Sequence, residues 1–152
     1  MAPSPYRLYV GFCKENTESD VSGTHWLLIL DPLGRSNGTW WHTLPTHDND
    51  YELRKENTKN LDHSSIVLKQ WVADIPVCEL GHVQYMMMHD VPMQHSQRWV
   101  VAVLVALERK FLVPPGTSSQ FMKQIQCHHG RAVGGYERSH LGFGHIVIGF
   151  RA

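Results

Sequence analysis

Histidine is the side chain that titrates near neutrality, and this chain of 152 residues carries eleven. Two of them, with one serine, stand in an order that could do chemistry. His25 opens a short apolar run, His25-Trp-Leu-Leu-Ile-Leu30, and His42 lies 17 residues on, closing Gly38-Thr-Trp-Trp-His42. Ser96 stands within His95-Ser-Gln-Arg-Trp99, where the most regular apolar repeat begins. A nucleophile at a helix N-terminus faces unsatisfied N–H groups and the positive end of the helix dipole. A histidine beside it serves as general base, and a further polar residue orients that imidazole. In this scheme residue 96 attacks a carbonyl, His25 takes and returns the proton, and His42 orients His25. Backbone N–H groups at the helix start would hold the oxyanion.

Such residues need elements to position them. Tyr6 to Cys13 alternates loosely and reads as a first strand. Lys14 to Thr24 is polar and loop-like. His25 to Leu30 suits a buried strand, the turn residues of Asp31 to Gly38 close it, and Thr39 to Leu44 is its partner. An antiparallel hairpin of these two sets His25 and His42 side by side at one sheet end. Thr46 to Asn60 is charged and reads as an irregular excursion with some extended structure. Ser64 to Val77 is β-branched and predicts another long strand, with a break at Ala73-Asp74. Glu79 to His89 predicts a helix.

From Ser96 to Phe111 the residues Trp99, Val103, Leu107 and Phe111 recur at four-residue spacing, with Val100 and Leu104 beside them, until Pro114-Pro-Gly116 stops the helix. Ser118 to Cys127 predicts a short helix with a serine cap, Gly130 to Gly144 a loop, and His145 to Phe150 a last edge strand. The expected fold class is α+β, an antiparallel sheet packed against a long helix, in a single domain over residues 1–152.

Composition narrows the function classes. Fourteen basic and fourteen acidic residues cancel, so no basic surface points to nucleic acid or an anionic membrane. The longest apolar stretch, Trp99 to Leu107, is too short for a membrane span, and Met1 to Leu8 has no apolar run of the signal-peptide kind. Cys13, Cys78 and Cys127 are odd in number and scattered, against a secreted disulfide framework. A cytoplasmic protein acting on a small molecule or peptide is expected, without a cofactor. No metal site is expected either. Cys127-His-His129 lacks a second ligand pair at finger spacing, and His82, His89 and His95 cannot share one helix face across Pro92. Gly134-Gly135 lacks the strand–helix context of a phosphate loop.

The three short segments, in the order His25, His42, residue 96, resemble the permuted branch of the NlpC-like papain fold. This lecithin:retinol acyltransferase-like superfamily includes many small proteins of filamentous fungi. Its pattern is a histidine heading one strand, a second histidine on the next, and Asn-Cys-x-x-(aromatic) at a helix start. The resemblance runs from about Gly23 to Phe111. It implies a circularly permuted papain-like domain acting as a hydrolase or acyltransferase on an amide, ester or thioester, with catalytic positions His25, His42 and Ser96. The departure lies at His95-Ser96, which stands where the pattern has Asn-Cys. A hydroxyl is far less acidic than a thiol, and one histidine with a helix dipole does not ionise it.

Three readings of Ser96 stand side by side: a natural pseudoenzyme, a genuine serine enzyme, or a deliberate Cys→Ser change that traps a complex. A pseudoenzyme would bind a small hydrophobic molecule or peptide, or steer its cyclisation with the histidine pair. Each residue also has a plain structural role available. His25 and His42 could bond nearby carbonyls or pack a sheet face, and Ser96 alone reads as an N-cap. Trp40 and Trp41 fall on opposite sheet faces, one to line a ligand cleft and the other for core. Met86-Met-Met88 suits an adaptable apolar pocket or plain burial.

Overall fold

The computed structural model describes residues 5–13, 24–33, 35, 37–60 and 66–125, with 58–60 described by backbone. Five strands come first: β1 (Tyr6–Cys13), β2 (His25–Pro32), β3 (Asn37–Pro45), β4 (Tyr51–Asn60) and β5 (Ile66–Ile75). They form one antiparallel sheet in the order β4-β3-β2-β1-β5. Helical segments follow: a 3₁₀ turn (Val77–Glu79), α1 (Leu80–Tyr85) running into a π-helical turn (Met86–Asp90), α2 (Ser96–Arg109) and α3 (Thr117–Met122). The class is therefore α+β with an antiparallel sheet.

The apolar runs explain where the layers meet. Strand alternation turns Trp26, Leu28 and Leu30 of β2 to one face, where they join Leu8, Val10, Phe12 and Trp41. Against them α2 sets Trp99, Val100, Val103, Leu104 and Leu107, all fully buried at helical spacing. Met86 and Met87 enter this core, while Met88 turns out to solvent. The opposite face carries a smaller cluster of Cys13, Leu27, Ile29 and Trp40. Gly11 belongs to it by close approach, since a Cβ there would lie 2.8 Å from Leu27 Cδ1.

Several expectations change. Within residues 46–60 the irregular part is confined to the turn at 46–50, and the extended part is a ten-residue edge strand, β4, paired along β3. β5 continues as one strand through Ala73-Asp74, with a register irregularity at Val72-Ala73 where it pairs with β1. Residues 79–89 are split among 3₁₀, α and π geometry instead of one helix. α2 has 14 residues and stops at Arg109, so Phe111 leaves the periodic stripe and stands 92% exposed at φ 60°. There Phe111 N–H donates to the Glu108 carbonyl and Leu112 N–H to the Leu107 carbonyl, the bond pair of a Schellman cap. α3 is capped by Gly116 instead of a serine, and Glu108 accepts the Ser118 N–H at its first turn. The expected strand at His145–Phe150, Gly134-Gly135 and Cys127-His-His129 lie outside the described residues.

Candidate functional site

The β2–β3 hairpin brings the two histidines together. Leu28 pairs with Trp41 at the last registered step, and the strands run on from there to His25 and His42 at the same sheet end. His25 Nε2 lies 2.8 Å from His42 Nδ1, with the rings nearly edge-on at 74°. His42 Nε2 lies 3.0 Å from Glu56 Oε2 on β4. Register explains that second contact. Trp40 pairs with Glu56 and His42 with Arg54, so Glu56 is the diagonal neighbour of His42 on one face. Arg54 turns instead to Glu52. His25, His42 and Glu56 thus form one hydrogen-bonded chain across three adjacent strands.

Ser96 arrives from the helical layer. It is not the N-cap of α2, which is His95, but the first helical residue, and no side-chain cap is made. Its hydroxyl accepts the Trp26 N–H at 3.2 Å and is buried at 3% exposure. Two further bonds fix the helix start to the hairpin. Gln97 Nε2–H donates to the Thr24 carbonyl at 2.8 Å, and Thr43 Oγ1–H donates to the Gln94 carbonyl at 2.7 Å. Each satisfies a polar group that burial would otherwise leave costly.

Strand alternation places His25 with Leu27 and Ile29, and His42 with Trp40, on the sheet face opposite α2. Ser96 therefore approaches the histidine chain at the head of β2, where it accepts the Trp26 N–H of the peptide that follows His25. Among the described residues no hydrogen bond joins Ser96 to His25. Trp41 lies in the core shared with α2 and Trp40 in the smaller cluster. At 1% and 5% exposure both indoles are buried.

Electrostatics keep His25 neutral. Burial, then the nearby His42 and His95, push the His25 imidazole down to about 4. At neutral pH the ring is unprotonated and able to accept a proton, though weakly basic. Burial and then Glu56 push the Cys13 thiol up to about 11, so the cysteine paired in register with His25 stays a thiol. His95 also sets its ring against Tyr51, centroids 6.2 Å apart. Among the described residues no group of three His, Cys, Asp or Glu is arranged to hold a metal, and no helix is long and apolar enough to cross a membrane.

Glu56 is the site residue that sequence reasoning missed. The available signal was the alternation Glu52, Arg54, Glu56 with Leu53 between, an extended polar pattern beside a histidine-bearing strand. Fold and site together define an α+β domain with a carboxylate–histidine–histidine chain ending beside a buried serine at a helix N-terminus. Comparisons with protein-family models, with curated proteins and with solved structures give no match.

Proposed function

We propose that this domain is an acyl-transfer or hydrolytic module of the permuted papain-like kind, acting on an amide, ester or thioester carbonyl. The observation that carries the reading is the hydrogen-bonded chain from Glu56 through His42 to His25, beside which Ser96 at the start of α2 accepts the Trp26 N–H. Residue 96 attacks the carbonyl, His25 accepts its proton and returns it to the leaving group, and His42 orients His25. Backbone N–H groups at the start of α2 stabilise the oxyanion. A base held near 4 is ready but weak, so the serine form works slowly and a cysteine at position 96 works faster.

The test is acylation of residue 96 by activated esters, read by peptide mass spectrometry in the native and Ser96→Cys proteins. An acyl adduct on residue 96, faster in the Ser96→Cys protein and lost with His25→Ala, is the expected result. No adduct in either protein across a broad panel of acyl and peptide esters refutes the proposal.

A second reading is favoured by one observation. Ser96 Oγ is engaged as an acceptor by Trp26 N–H and is not hydrogen-bonded to His25. On this reading the domain binds a small hydrophobic molecule or peptide, or steers its cyclisation through the histidines. A ligand bound equally well after His25→Ala and Ser96→Ala supports plain binding. Turnover lost with His25→Ala but kept with Ser96→Ala supports acid–base chemistry without a nucleophile.

A further inference from the structure

We propose that Glu56 is a positioning residue: through His42 it fixes which nitrogen of His25 carries the proton, and leaves Nδ1 as the basic one. The inference deepens the acyl-transfer reading and rests on it for its consequence, though its geometry stands alone. An ionised carboxylate has only acceptors, so the nitrogen 3.0 Å from Glu56 Oε2, His42 Nε2, carries a proton. In the neutral form of His42, which has one donor and one acceptor, Nδ1 then presents a lone pair. That atom lies 2.8 Å from His25 Nε2, which in turn must be an N–H. His25 Nδ1, on the main-chain side of its ring, is left with the lone pair. It is the nitrogen nearer the peptide whose Trp26 N–H holds Ser96 Oγ.

The order of protons depends on the carboxylate. With Glu56 removed, no carboxylate holds the His42 proton on Nε2, and a proton on Nδ1 would be donated to His25 Nε2. The proton of His25 then moves to Nδ1, and the ring presents a donor where the reaction needs a base. Both histidines stay in place in either state, so the change is one of protonation order and not of packing. Glu56 is well suited to removal as a test. Its side chain is 34% exposed and it sits on edge strand β4 rather than in the core.

The experiment is long-range proton–nitrogen NMR of the histidine rings at neutral pH, on native, Glu56→Ala and Glu56→Met proteins, with thermal melting as the folding control. The two variants share the loss of an acceptor and differ in volume, so one of them suffices if the other fails to fold. Native protein is expected to show the Nε2–H form of both His42 and His25, and the variants a shift of His25 to Nδ1–H. A native His25 protonated at Nδ1, or unchanged rings in a folded variant, overturns the proposal.

Acylation of residue 96 is read separately in the Ser96→Cys background. There Glu56→Ala is expected to slow it by about 100-fold, the low end of a positioned general base. A shifted tautomer with an acylation rate left unchanged overturns the positioning role. Shifted tautomers with no acylation in any form support the proton order and refute the acyl-transfer reading instead, so the two failures are distinguishable.

Discussion

An acid titration of stability reads His25 without any substrate. In the folded chain burial, with His42 and His95 nearby, pushes this imidazole down to about 4 from its ordinary 6.5. The unfolded chain exposes the ring and restores the ordinary value, so between these limits the unfolded state binds the extra proton. A folded value below the unfolded one means that stability is fully present above pH 6.5, falls as the pH drops toward 4, and levels off below. Near pH 5 the loss is about 1 kcal/mol per pH unit, and it sums to about 3 kcal/mol across the window. Against a total stability on the order of 5–15 kcal/mol, that is easily measured.

The assay is urea unfolding at several pH values between about 7.5 and 4, on native and His25→Gln proteins, with midpoints and slopes compared. Glutamine does not titrate, so subtracting its curve removes the groups that do not touch His25 and leaves His25 with its coupling to His42 and His95. The native protein is expected to lose about 3 kcal/mol more than the variant over that range. Parallel curves would refute the reasoning, because they would mean that His25 charges in the folded state as readily as in the unfolded one.

Two further outcomes follow from local geometry. Cys13, buried and held up near 11, is expected to resist thiol reagents at about pH 8 in the folded protein, while exposed Cys78 reacts at once; residue-resolved mass spectrometry checks this, and comparable labelling of the two contradicts it. Phe111→Gly is expected to stabilise the chain by about 1 kcal/mol, since a left-handed backbone costs a side chain and not glycine. Phe111 is 92% exposed and has little packing to lose, and an unchanged or lowered melting temperature would count against that account.

What the sequence made legible follows burial. β1, β2 and β3 announce themselves by apolar runs between turn residues, and α2 by Trp99, Val103 and Leu107, because each buries a face against the core. The nearness of His25 and His42 follows from the hairpin alone, which a turn-rich Asp31-to-Gly38 segment implies. β4 is the opposite case. As an edge strand with Glu52, Arg54, Lys55 and Asn57 exposed, it is held by backbone bonds to β3 and leaves almost no apolar pattern. Glu56 was hidden with it, since its role depends on registration opposite Trp40. Ser96 read as an N-cap because serine favours that position. Its bond to Trp26 joins residues 70 apart, a contact no local pattern encodes.

The same sequence separations bear on how the site comes together during folding. The histidine chain is closed by contacts spanning 17 and 14 residues within a meander of neighbouring strands. Ser96 reaches Trp26 only by closing a loop of 70 residues, at an added closure entropy of about 1 kcal/mol relative to the hairpin contact. Low contact order favours early formation, so the proton-handling half can assemble while residue 96 is still distant. The Ser96–Trp26 contact, with its longer loop, is expected to form later, when α2 docks on the sheet, so the full set of site contacts exists only in the packed chain.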